Sequence, residues 1–147
     1  MKYKSGKRRK GRECALKILY QVESSFGLSS TQKLNKAALE TQMIDFFDHF
    51  AVPDKISAFA SHLASGVIGN IGQIDQRISE NADNWRLERM DKIDRIILRI
   101  AVFELFFAKE LTKSIVINEA IEVAKKFGSE RSASFVNGIL DRIARGL

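Results

Sequence analysis

Along most of the 147 residues, apolar positions recur every three or four, and no stretch alternates apolar with polar long enough to suggest a strand. The pattern predicts an all-α chain. A first helix over about 9–24 carries Ala15, Ile18, Leu19 and Val22 on one face, and Phe26, Gly27, Ser29 and Ser30 mark the loop beyond it. Ser29 with Gln32 offers a capping box for a second helix to about residue 50, with Leu34, Ala38, Phe46, Phe47 and Phe50 on its face. The lone proline, Pro53, stands where the next helix begins. From 54 to about 81, Ile56, Phe59, Leu63, Val67, Ile71, Ile74 and Ile78 predict one long helix. Gly66, Gly69 and Gly72 weaken it by roughly 1 kcal/mol each relative to alanine. Their GxxGxxG spacing is neither a dinucleotide nor a P-loop pattern, and close helix packing accounts for it better.

The segment of about 91–109 is apolar nearly all round and reads as the central helix. Arg99 and Glu104 lie inside it, and buried charges are costly unless paired, so they read as structural ion pairs with neighbouring helices rather than as a catalytic pair. The next helix has Ser114 as cap, Lys125 and Lys126 in its last turn and Gly128 as stop. A final helix over about 132–145 presents Phe135, Val136, Ile139, Leu140 and Ile143. This length suits a single compact helical domain, 1–147, around one core.

Charge changes the picture. The formal net charge is +6, and seven of the 24 cations fall within the first twelve residues, leaving 17 against 18 acids in the rest. A basic arm (about 1–12) on a nearly neutral body is suited to a polyanion, and its continuity with a helix favours nucleic acid over a floppy, merely solubilising tail. The single Cys14 excludes an internal disulfide and fits a reducing compartment. No CxxC or His/Cys cluster has metal spacing, and His49 and His62 fall on different helices, so no metal is expected. The basic start lacks the apolar run of a signal peptide, and no stretch is long and apolar enough for a membrane span; a cytoplasmic protein is expected. No nucleophile with a partnered base, no spaced carboxylate pair and no cofactor loop is present, so neither catalytic residues nor a cofactor are assigned.

Several linked motifs then narrow the field. VINEAIEVAKKFG over 116–128, FVNGILD over 135–141, LRIAVFEL over 98–105 and RRKGRECA over 8–15 with Leu19 and Tyr20 follow one another in order. Together they resemble the signature of the NusB family of transcription antitermination factors. The resemblance implies two packed three-helix bundles, no catalysis, and a protein that pairs with the ribosomal protein NusE. The pair holds the boxA element of nascent ribosomal RNA for the antitermination complex on RNA polymerase. Arg8, Arg9, Lys10 and Arg12 take the family's RNA-contact role, Phe135 matches an aromatic that stacks on an unpaired base, and Tyr20 and Asp94 match the NusE-facing side. Lys113 and Arg131 depart from some relatives, which carry an aromatic and an acid there, near the expected RNA surface.

Physics supports the same picture independently, because single-stranded RNA is held by a cationic track and aromatic faces. Phe135 is open to two readings, base stacking or core packing with Ile139 and Ile143, and Tyr20 is a half-buried core residue or an interface anchor. Exposed terminal charges contribute little to folding, so the arm is expected to matter for binding alone. Two rivals stand beside this: an RNA-binding domain of a ribosomal RNA methyltransferase, which the length disfavours, and a structural homodimer. Monomer and homodimer are both compatible with the sequence.

Overall fold

The structure, a computed structural model, describes residues 5–26, 36–83 and 85–147. Among them there are seven α-helices and no strand: α1 Ser5–Phe26, α2 Lys36–His49, α3 Asp54–Gly69, α4 Ile71–Glu80, α5 Lys92–Phe103, α6 Lys113–Phe127 and α7 Ser132–Arg145. The expected apolar face of α1 is almost fully buried, Ala15, Ile18, Leu19 and Val22 alike. The helix begins one turn earlier than expected, at Ser5, so much of the basic arm is helical.

Several expectations need correction. The buried face of α2 is Leu39, Met43 and Phe46, while Phe50 is exposed; Leu34 and the Ser29/Gln32 capping box lie outside the described residues. The long helix of 54–81 is interrupted at Asn70. There the side-chain amide donates to the Gly66 carbonyl at 2.8 Å, a local bond that competes with the helix ladder. Gly66 itself serves close packing as expected, since a Cβ there would sit 2.1 Å from the Phe103 ring.

Asp91 caps α5 by accepting from the Ile93 amide at 3.0 Å. The helix does not continue regularly to Lys109 but widens into a π turn, Glu104–Ala108, closed by the Lys109 amide on the Glu104 carbonyl at 3.0 Å. Lys109 leaves it in the left-handed region at φ 52°. Thr112, not Ser114, stands at the start of α6.

Helices α1, α2 and α3 pack on one another, and α5, α6 and α7 do the same; α5 also touches α1, α3 and α4 and so joins the two bundles. The buried side chains form one hydrophobic cluster. Arg12 meets Glu104 while Glu23 meets Arg95, so α1 and α5 run in opposite directions.

Candidate nucleic-acid interface

The start of α1 lies tight on α3, because a Cβ at Gly11 would come within 2.6 Å of the Phe59 ring. This approach sorts the cations of the arm by helical face. Arg12 turns inward and is only 2% exposed. Its Nε and Nη2 donate to Glu104 at 3.0 and 2.8 Å, and its Nη1 lies 3.7 Å from Glu119. Arg9 flanks it, donating to both oxygens of Glu119 at 3.0 and 3.1 Å with its side chain 38% exposed. A planar guanidinium matches a carboxylate at two points, and the arrangement satisfies charges that would otherwise be costly to bury. Arg12, expected among the RNA contacts, is therefore part of the buried scaffold beneath the surface, so the arm contributes to the fold and is not merely an exposed charged terminus.

The inward charges of α5 behave as the sequence suggested. Glu104 pairs with Arg12, and Arg99 donates to Asp75 at 2.8 and 3.0 Å with Glu23 3.6 Å away.

Lys7, Arg8 and Lys10 face outward. Arg8 covers the Phe59 ring at 4.2 Å and lies 3.6 Å from Glu110, both ends of that pair about half exposed. Lys2 and Lys4 lie outside the described residues. Cations from other helices join the display. Lys55 of α3 shares a groove of about 520 Å³ with Lys7, Arg8 and His62, and Lys125 and Lys126 of α6 line one of about 320 Å³ beside Arg9, where they pair with Glu122 at 3.4 Å and Glu13 at 2.6 Å. The sequence placed Lys125 and Lys126 only by their role at a helix end and left Lys55 without a role, because nothing local announces that α3 and α6 flank α1.

Phe135, in the first turn of α7, is half-buried: it packs on the core and meets Trp85 edge-on, ring centroids 5.7 Å apart at 82°. Trp85 is 54% exposed. Phe135 is not beside the arm. Ser132 of its helix lies against Asp94 near the start of α5, whereas Arg12 meets Glu104 ten residues on, roughly 15 Å at 1.5 Å per residue.

Of the two residues expected on the partner side, Tyr20 is 42% exposed with the Lys92 ammonium 4.9 Å from its ring centroid. Asp94 is 7% exposed and lies off any outward stripe. Burial pushes its carboxyl above the ordinary carboxylate range, a hydrogen bond from Ser132 opposes this, and Asp91 adds to it. Lys113 is exposed at the start of α6, three residues after the Glu110 that meets Arg8, and its ammonium donates to the Ala144 and Leu147 carbonyls at 3.2 Å, at the far end of α7 from Phe135. Arg131 is exposed at the start of α7.

No group of three or more His, Cys, Asp or Glu among the described residues could hold a metal. The histidines pack edge-on against rings, His49 on Phe50 and His62 on Phe103. Burial raises the Cys14 thiol, the opposite of what a nucleophilic thiol needs. Among the described residues no helix is long and apolar enough to cross a membrane.

The family model for the NusB family matches residues 9–145. The chain belongs to the NusB family. A transcription antitermination protein NusB from Geobacter sp. (strain M21) is 47% identical over 137 residues, covering 93% of each chain. The solved NusB of T. maritima superposes with a TM-score of 0.79 at 36% identity, covering 99% of this chain and 93% of that one. A solved complex of antitermination factors NusB and NusE with dsRNA gives a TM-score of 0.80 at 22% identity, covering 98% of this chain and all of that one, and shows the shared fold. As a NusB-family protein the chain is a transcription antitermination factor, not an enzyme.

Proposed function

We propose that the protein binds boxA-like single-stranded RNA of nascent ribosomal transcripts together with NusE, within the antitermination assembly on cytoplasmic RNA polymerase. The observation that carries this reading is the sorting of charge at α1. A buried base of Arg12, Glu104 and Glu119 fixes the helix, and Lys7, Arg8 and Lys10 stand outward from it. Lys55 widens the cationic surface on one side, and Lys125 and Lys126, paired with Glu122 and Glu13, border it on the other. A strand's phosphates take such a track and its bases take aromatic faces, which Phe135 supplies in part. Arg9 serves both surfaces, its guanidinium set by Glu119 and still partly exposed. Tyr20 offers exposed area to NusE, whereas Asp94 acts on that side only through the residues it holds in place. The single hydrophobic core supports treating 1–147 as one RNA-binding domain.

Fluorescence anisotropy with a boxA-like strand, a scrambled strand and a duplex, each with and without NusE, tests the reading. Salt-sensitive binding that prefers the boxA-like strand and tightens with NusE is expected. Equal, weak binding to all three RNAs with no response to NusE contradicts it.

A further inference from the structure

We propose that Trp85 is a stacking platform for an unpaired RNA base, extending the aromatic face of Phe135 into the groove beyond α4; this rests on the RNA-binding reading above. Trp85 is the only tryptophan of the chain, and it is more than half exposed. Its backbone is held in place. The Trp85 amide donates to the Ala82 carbonyl at 3.1 Å, and Arg95 of α5 reaches out to donate to the Leu87 and Met90 carbonyls at 3.1 and 3.2 Å. Hydrogen bonds on both sides of the ring thus tether the segment that carries it, which lowers the cost of engaging a ligand.

Trp85 lines an open groove of about 540 Å³ whose other walls include Arg86, Glu88 and Arg89. Asp83 also lines it, but its carboxylate accepts from Arg142 at 2.8 Å, which leaves Glu88 to face two arginines. Arg131 stands exposed four residues before Phe135, adding a cation beside the aromatic pair. These surroundings choose the occupant. An anchor side chain from a protein partner favours a dry, apolar pocket. A broad ring with polar side chains and arginines around it suits a nucleobase and its phosphates.

The sole tryptophan makes the test direct: intrinsic tryptophan fluorescence of the full-length protein reports on this position alone. Titration with boxA-like single-stranded RNA should quench it saturably, while polyphosphate and an abasic strand, at concentrations that compete for the cations, should not. Trp85→Ala should weaken RNA binding about 5- to 150-fold, the value of one base stack, without changing the salt slope. Trp85→Phe, which keeps a flat face, should recover most of that affinity and serves as the folded control. Wild-type affinity in Trp85→Ala, or equal quenching by polyphosphate, overturns the platform and leaves RNA binding elsewhere intact. Quenching by NusE alone, with RNA affinity unaffected by the substitution, makes this a protein surface and overturns it too. Absence of any RNA binding by the wild type removes the broader function first.

Discussion

Asp94 and Glu104 lie near the two ends of the central helix, both acids, 7% and 6% exposed, yet their surroundings differ in kind. Glu104 receives two hydrogen bonds from the Arg12 guanidinium, and Glu119 stands on the other side of that arginine. Asp94 has only the nearby Ser132 hydroxyl to offset its burial, and its Oδ1 is buried without a hydrogen-bond partner among the described residues. A full opposite charge and a neutral donor compensate burial very differently. At the Glu104 end the buried charge ties α1 to α5 and α6 and so fixes which cations of the arm reach solvent. At the Asp94 end an acid with weak compensation sits under the start of α7, two residues along α5 from the Lys92 that meets Tyr20 and against the first turn that carries Phe135.

The largest effect should come from breaking the paired end. Arg12→Met leaves Glu104 buried without its main partner and should lower urea stability by about 3 to 5 kcal/mol. The Arg12→Met/Glu104→Met double variant should be less destabilised than the two single variants combined, because neither charge is then stranded. Additive effects in that cycle would show that the pair does not act as a unit.

A smaller and opposite effect should follow at the other end. A carboxyl whose folded pKa is raised binds its proton more readily in the folded state, so its charge disfavours folding above the raised value and the penalty vanishes below the ordinary aspartate value of 3.8. Asp94→Asn keeps an acceptor for Ser132 and removes the charge. The variant should match or exceed wild-type stability at neutral pH, and the difference should close as pH falls toward 4. Urea titrations across that range check this, and a variant less stable than wild type at neutral pH would mean that the ionised carboxylate holds α7 in place.

Periodicity made most helices legible, because the core faces of α1, α5 and α7 rest on local spacing. What it missed depends on partners distant in sequence. Arg9 and Arg12 look like Lys10 within one basic run, yet the acids that draw them inward are 110 and 92 residues away. Asp94 has the look of an exposed first-turn acid, but Asp91 takes the capping position and Asp94 turns toward Ser132 of another helix. The break at Asn70 was hidden because the apolar rhythm continues across it, while Asn70 leaves the helical backbone region at φ −123° with its side chain on the Gly66 carbonyl. Trp85 stood outside any helical pattern, so nothing local connected it with Phe135.

The division of the arm into scaffold and RNA-facing residues is the central claim, and the slope of RNA affinity against salt for Lys7→Ala/Arg8→Ala/Lys10→Ala tests it most directly. Each cation withdrawn from a phosphate of a single strand should flatten the slope by about 0.7 log units, up to roughly 2 for all three, with the urea midpoint unchanged. An unchanged slope, or a destabilisation comparable with that of Arg12→Met, would contradict the account.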